Sequence, residues 1–229
     1  MRIAILTGAG VSAESGLGTF RDEDGLWSQY DLAEVATPEG YGRNPGLVLD
    51  FYNMRRANGR DAEPNAAHHA LGRLCAAEAH EVTLITQNID DLHEQGGVSD
   101  LIHIHGSLFE ALCASCGHVW PHRGDMSVED TCPACKTVGT VRPNIVWFGE
   151  VPHRMDDCLT AIATATLFVS IGTSGTVYPA AGFTEIARAA GARTLELNLE
   201  GSGGDFDLVR EGPASVIVPA WVDQVLSKA

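Results

Sequence analysis

Residues 2–21 constrain this chain more than any other stretch. Arg2-Ile3-Ala4-Ile5-Leu6-Thr7 is a short apolar run that leads directly into Gly8-Ala9-Gly10-Val11-Ser12-Ala13-Glu14-Ser15-Gly16, followed by Thr19-Phe20-Arg21. A buried parallel strand feeding a glycine turn and a helix N-terminus is a phosphate cradle. Gly8 and Gly10 permit the tight turn and let backbone N–H groups approach a pyrophosphate. Ala13 takes the third, small position, where helix packs on strand. The expectation is a dinucleotide site on an α/β sheet.

With 229 residues and 45% hydrophobic content, the chain can bury a full core as one large domain, or one domain with an inserted lobe. The net charge of −15 argues against a nucleic-acid partner, which requires a basic footprint. It fits a solvated acidic surface or a basic protein partner. No segment approaches the roughly 18 apolar residues of a membrane span. No charged-then-apolar leader precedes Ile3, so a cytoplasmic location is expected.

Cys113, Cys116, Cys132 and Cys135 follow C-x2-C-x15-C-x2-C, the spacing of a four-thiolate zinc site. Each C-x2-C turns two sulfurs toward one point, and two such turns complete a tetrahedron. Four thiolates leave no open position, so the zinc is expected to be structural. Two disulfides are the alternative, and they belong to secreted proteins. Cys75 and Cys158 lie in apolar, helix-like stretches and are expected as buried small hydrophobes.

Strands are expected at Ile3–Leu6, Val82–Thr86, Leu101–His105, Leu167–Ile171, Thr194–Leu197 and Val216–Val218. Helices are expected at Asn65–Ala79, Met155–Ala165, Ala180–Ala190 and Val222–Leu226. That alternation implies a Rossmann-like, doubly wound parallel sheet with helices on both faces. Asp22–Glu63 reads as helical pieces without a strand, and Glu110–Val141 carries the zinc cysteines. Both look like insertions that form a smaller lobe over the carboxyl edge of the sheet. The expected division is a Rossmann-like lobe at about 1–21, 64–109 and 142–229, and a small lobe at about 22–63 (helical) and 110–141 (zinc ribbon), within one catalytic domain.

A plain dehydrogenase does not fit. Glu23 and Asp24 lie near the distance of the ribose-binding acid, but Gly25-Leu26-Trp27 follows and no second strand ends there. No Gly-Lys-Ser/Thr supports a P-loop. Polar clusters instead follow four expected strands: Thr86-Gln87-Asn88-Ile89-Asp90, His103-Ile104-His105-Gly106, Gly172-Thr173-Ser174, and Asn198. Ligands of open parallel sheets bind beyond the carboxyl ends of the strands, so these clusters converge on one crevice.

Together with Val146-Trp147-Phe148-Gly149-Glu150 and the four cysteines, these residues resemble the sirtuin family of NAD-dependent protein-lysine deacylases over essentially the whole chain. The likeness is to the bacterial desuccinylase and demalonylase class. Many members carry proline where this chain has Gly18. The resemblance implies that Gly8, Ala9, Gly10, Glu14, Thr19, Phe20, Arg21 and Trp27 line the NAD site. It implies that Gln87, Asn88, Ile89 and Asp90 bind the cofactor too, the last three as a nicotinamide pocket. Gly172, Thr173, Ser174, Asn198 and Ala214 would hold the adenosine half, and Leu199 and Glu200 would be further cofactor contacts. Val146, Phe148, Gly149 and Glu150 belong to a segment that would pair with the substrate peptide as an added strand.

The implied reaction releases nicotinamide, free lysine and O-acyl-ADP-ribose, and needs a base with pKa near neutrality. His105, which ends a strand before Gly106, takes that role over His103 on the same face. His68, His69 and His93, on helical stretches, are expected to be satisfied structural histidines. Tyr52 and Arg55 lie at i and i+3 of a helix, and the resemblance implies that they read a carboxylate at the end of the acyl group. Ala36 would leave room for a longer acyl chain. The partners implied are acyl-lysine proteins or peptides, with the oligomeric state open. An ADP-ribosyltransferase on the same fold and a non-enzymatic NAD sensor or zinc-ribbon interaction protein are the competing readings.

Overall fold

In the computed structural model, residues 1–18 and 30–228 are described. Thr19, Phe20, Arg21 and Trp27, expected at the cofactor, lie outside the described residues, as do Glu23 and Asp24. The chain runs β1 (Arg2–Thr7), α1 (Leu32–Val35), α2 (Pro38–Arg43), α3 (Pro45–Asp61), α4 (Ala66–Cys75), β2 (Glu81–Thr86), α5 (Leu92–Gln95) and β3 (Leu101–His103). Next come β4 (Gly106–Cys113), β5 (Val119–Pro121) and β6 (Val141–Ile145). The last third holds α6 (Met155–Thr164), β7 (Leu167–Ile171), α7 (Phe183–Ala189), β8 (Arg193–Asn198), β9 (Leu208–Glu211) and α8 (Ala214–Leu226).

The N-terminal apolar run is the centre of a six-stranded sheet in the order β3-β2-β1-β7-β8-β9, parallel throughout. Strand β1 is apolar on consecutive positions because both its faces are covered. Ile3 and Ile5 enter a core with Leu71 and Leu74 of α4 and Val218, Trp221 and Val222 of α8. Ala4 and Leu6 face the opposite core with Ile162 of α6 and Phe183 and Ala187 of α7. The strand order reverses direction between β1 and β7, and a ligand crevice of a Rossmann-type sheet opens at that point.

The smaller lobe has two parts. Strands β5-β4-β6 form an antiparallel sheet beside the four cysteines. Helices α1–α3 follow one another with almost no linker, each opened by a side-chain cap: Asp31 to Ala33 N–H, Thr37 to Gly40 N–H, and Asn44 to Leu47 N–H. Pro38 and Pro45 occupy first-turn positions where no N–H is needed. Arg56 of α3 is buried and ties the two parts together. It donates to the Leu108 carbonyl of β4 at 2.8 Å and to Asn53 Oδ1 at 3.1 Å, while burial pulls its pKa down to about 10. Among the described residues, no helix is long and apolar enough to cross a membrane.

Three expectations are corrected. Val216–Val218 is helical, inside α8, because Val218, Trp221, Val222 and Val225 make a buried stripe at helical spacing that outweighs three adjacent β-branched residues. The sixth strand is instead β9, an edge strand whose residues are mostly exposed and carry no burial pattern. Strand β3 stops at His103, because Gly106, at φ +81°, starts the reversal into β4. His105 therefore sits in a turn and does not share a strand with His103.

Candidate active site

The glycine turn behaves differently from the cradle expected of it. After β1 the chain makes two short 3-10 turns, Ala9–Val11 and Ala13–Ser15, not an α-helix. The Gly8 and Gly10 N–H groups donate to the carbonyls of Ile171 (3.0 Å) and Gly172 (2.9 Å), so they are committed to the end of β7 and the residue after it. The glycines let two loops interlock. A Cβ on Gly10 would lie 2.8 Å from Gly172 Cα, and one on Gly172 would lie 2.5 Å from the Val11 nitrogen. Ala13 is exposed and lines the cleft; it does not pack on a strand.

The interlock forms the floor of a cleft of about 730 Å³. Every expected catalytic, cofactor and substrate residue among the described ones lines it, from Gly8 and Gln87 to Ala214, and from Ala36 to Glu150; the four cysteines do not. The volume falls in the range of small-molecule and cofactor sites. With a floor that admits no Cβ, it fits the phosphates and ribose of a dinucleotide.

Beneath one end of the cleft, hydrogen-bond directions are fixed by elimination. The Asn65 N–H donates to His68 Nδ1, so the His68 proton is on Nε2, 3.4 Å from Ser12 Oγ. Ser12 also accepts from Asn88 Nδ2 (3.0 Å) and donates to Asp90 Oδ2 (3.1 Å), while Asp90 Oδ1 accepts from the Leu92 N–H. Burial raises the Asp90 pKa and lowers that of His68 to about 4. Ser12 thus holds Asn88 and Asp90 at fixed angles. Pattern reading passed over Ser12, although it lies inside the glycine motif.

His93 departs from the expectation of a satisfied histidine. Its Nε2 meets Thr7 Oγ1 at 2.9 Å, but its buried Nδ1 has no partner among the described residues. Burial drives its pKa well below the ordinary value.

The two central histidines are held in different states. His103 Nδ1 donates to the Asn88 carbonyl and Nε2 to the Glu94 carboxylate at 2.9 Å. Burial lowers its pKa, but Glu94 overcomes this and the net shift is upward. His105 Nδ1 donates to the Gln87 carbonyl at 3.1 Å, which leaves Nε2 as the basic nitrogen. Burial, with His153 nearby, lowers the His105 pKa. Of the two, only His105 lines the cleft.

Across the cleft, Tyr52 and Arg55 of α3 stand together as their spacing predicts. Tyr52 Oη accepts the Trp147 indole N–H at 3.0 Å. Arg55 hydrogen-bonds Tyr52, and its guanidinium carbon lies 5.8 Å from the Tyr52 ring centre. Burial lowers the Arg55 pKa, with the negative charge of Asp90 opposing. The buried Ala36 lies at the end of α1, where its carbonyl takes the Phe148 N–H.

Residues 146–150 form a tight turn, not an open strand edge. The N–H groups of Val146, Trp147, Phe148 and Glu150 meet His105 O, Glu150 Oε2, Ala36 O and Trp147 O. The Glu150 carboxylate is gripped in bidentate fashion by Arg142 at 2.8 and 2.9 Å. An added peptide strand would therefore have to find donors other than these four. At the end of the cleft lined by Asn198, its Nδ2 donates to the Thr173 carbonyl at 2.9 Å. Glu14 accepts from both the N–H and the hydroxyl of Ser215, at the start of α8.

The cysteines gather at the far end of the small lobe. All four Sγ atoms lie within 4.8 Å of one another, with Cys113–Cys135 at 3.7 Å and Cys116–Cys132 at 3.8 Å. A tetrahedron with metal–sulfur bonds of about 2.3 Å has edges of about 3.8 Å. A disulfide requires about 2.05 Å. The two C-x2-C turns are built alike. Gly117 N–H donates to Cys113 O and Lys136 N–H to Cys132 O, and both donors sit at positive φ, +73° and +63°. The donor set fits one structural zinc.

Residues 8–179 match the Sir2 family. An NAD-dependent protein deacylase of Caulobacter vibrioides is 55% identical, over 100% of this chain and 98% of its own length. One from Salmonella typhimurium is 50% identical, over 98% of this chain and 84% of its own. Among solved structures, a Sir2 homolog–NAD complex superposes with a TM-score of 0.88 at 34% identity, covering 99% of this chain and 90% of the other. A Sir2 variant with a deacetylated p53 peptide and 3'-O-acetyl ADP-ribose gives 0.81 at 27% identity, covering 99% and 93%.

Proposed function

This chain belongs to the Sir2 family of NAD-dependent protein deacylases, and from that premise we propose that it removes succinyl and malonyl groups from lysine, with acetyl as a further substrate. The observation that carries the acyl reading is the Tyr52–Arg55 pair in the cleft wall. A guanidinium partly withdrawn from water, beside a phenol, is a bidentate receptor for a carboxylate. An acyl group ending in a carboxylate supplies that charge, and an acetyl group does not. The background charge of −15 repels anionic acyl groups at long range, so a local cation is needed to hold one.

Bound NAD supplies the ADP-ribosyl group that accepts the acyl group, together with the nicotinamide that leaves. The interlocked loops at Gly8, Gly10 and Gly172 form the floor beneath its phosphates. Gly172, Thr173, Ser174, Asn198, Leu199, Glu200 and Ala214 hold the adenosine half. Gln87, Asn88, Ile89 and Asp90 surround the nicotinamide end, with Asn88 and Asp90 kept in place by Ser12. His105 withdraws a proton through Nε2, and the Gln87 carbonyl fixes its tautomer. Its lowered pKa keeps the ring neutral and ready to act as a base at neutral pH. Val146, Phe148, Gly149 and Glu150 form the wall along which the acyl-lysine peptide lies, and Ala36 leaves space for the acyl chain. The four cysteines would hold a structural zinc away from the chemistry.

The test is a deacylation assay on acetyl-, malonyl- and succinyl-lysine versions of one peptide, with and without NAD. Turnover requires NAD, and kcat/KM is higher for the two carboxylated groups. A chain that turns over acetyl-lysine alone contradicts the acyl reading.

A further inference from the structure

Asn58 stands one turn beyond Arg55 on α3 and lines the same cleft. It is exposed, and its carboxamide makes no hydrogen bond with any described residue. The polar neighbours on its helix are engaged. Asn53 bridges Arg56 and the backbone of Met126, and Arg56 is bound to Leu108. A Cβ on the adjacent Gly59 would lie 3.2 Å from the Phe109 ring and 3.3 Å from Leu108. Helix α3 is thus held in rotation against β4, with Asn58 on the cleft side.

A carboxylate has about four acceptor positions. The Arg55 fork can fill two. The Tyr52 oxygen already takes the Trp147 N–H and meets Arg55, so it offers one further donor, its own O–H. A carboxylate held by these two side chains alone has one acceptor position left over. The amide of Asn58, about 4.5 Å farther along the helix axis at 1.5 Å per residue, is placed to supply the missing donor to longer chains.

We propose that Asn58 is a length gauge of the acyl pocket, donating to the terminal carboxylate of a four- or five-carbon acyl group and leaving a three-carbon group unread. The proposal rests on the carboxylate-reading role of Tyr52 and Arg55. It is tested by kcat/KM for acetyl-, malonyl-, succinyl- and glutaryl-lysine versions of one peptide, with the unmodified chain and with Asn58→Leu, Asn58→Asp and Asn58→Gln. Removing the amide in Asn58→Leu lowers the succinyl-to-malonyl ratio roughly tenfold, the factor set by one hydrogen bond to a charged group. Asn58→Asp lowers it further by repulsion. Asn58→Gln, one methylene longer, moves the preferred acyl group toward a shorter chain, a shift that a structural role does not produce. A ratio that stays within about twofold of the unmodified chain in all three variants overturns the gauge. So does an equal loss on all four acyl groups. An unmodified chain that treats acetyl and the carboxylated groups alike overturns the Tyr52–Arg55 reading and the gauge with it. A preference for carboxylated groups that survives in every variant with the succinyl-to-malonyl ratio unchanged overturns the gauge alone.

Discussion

His103 and His105 are two residues apart, yet their rings are assigned opposite work. Both nitrogens of His103 face acceptors, one of them the Glu94 carboxylate, so that ring is held toward its charged form. His105 has one acceptor and one free nitrogen. His105→Ala is expected to cut turnover by roughly 10²- to 10⁴-fold while NAD still binds by titration calorimetry. Near-normal turnover in that variant moves the base elsewhere. The lowered His105 pKa also places the acid limb of kcat/KM below the ordinary imidazole value, so activity persists below about pH 6.5 and falls as the ring takes a proton. At the opposite wall, Arg55→Met should reduce the succinyl-to-acetyl ratio of kcat/KM by at least about tenfold. A variant that loses both activities in proportion argues against carboxylate reading. His105 and the Tyr52–Arg55 spacing could be read from the sequence because each rests on local position. Ser12 and Asn58 could not, because what distinguishes them is which distant groups they meet or fail to meet.

The interlocked loops set the limits on substitution at the scale of elements. Gly172→Ala puts a methyl group 2.5 Å from the Val11 nitrogen at φ +60°. A loss of about 1–3 kcal/mol, with weakened NAD binding, is expected for that overpacking. Gly16 is the control. At φ +85° with nothing within 4 Å, its change to Ala carries only the left-handed backbone cost of about 1–2 kcal/mol. Equal NAD affinity in the two variants contradicts the interlock as the cofactor floor. The zinc turns act on the site indirectly, through β4 and β6, whose Leu108 and Ile145 line the cleft. Cys132→Ser should lose bound zinc, measured by atomic absorption, and lower the melting temperature and activity together. Full activity without metal removes the structural role.

Much of this level was legible in advance. The four inner strands are strong apolar runs, and the cysteine spacing defines two like turns. The misreadings share a cause. Strand β9 is an edge with little to bury, and Val216-Ile217-Val218 looks extended until the stripe continuing to Val225 is included. The first glycines read as a ligand cradle because the sequence does not reveal that their N–H groups meet the end of β7 and Gly172.

For the molecule as a whole, stability should depend on pH through its buried histidines. Burial lowers the pKa of His68 to about 4 and that of His93 well below its usual value, while in the unfolded chain both lie near 6.5. The unfolded chain therefore binds more protons below about pH 6.5, and the native state loses ground as pH falls. Each histidine contributes full stability above that pH and loses about 1.4 kcal/mol per pH unit until its folded pKa is reached. Asp90 and His103, whose pKa values are raised, oppose this trend. Urea unfolding at pH 7, 6 and 5 should give a falling midpoint, and a flat one contradicts neutral burial of the pair.

The two hydrogen bonds from Ser215 to Glu14 join residues 201 positions apart, and the floor of the cleft joins Gly10 to Gly172. The cleft is therefore among the last parts of the molecule that a growing chain can complete. Until α8 has been synthesised, the N-terminal glycine segment lacks its final neighbour. Cofactor affinity measured on chains of increasing length should rise abruptly once residue 215 can reach Glu14, which makes NAD binding a reporter of completed assembly.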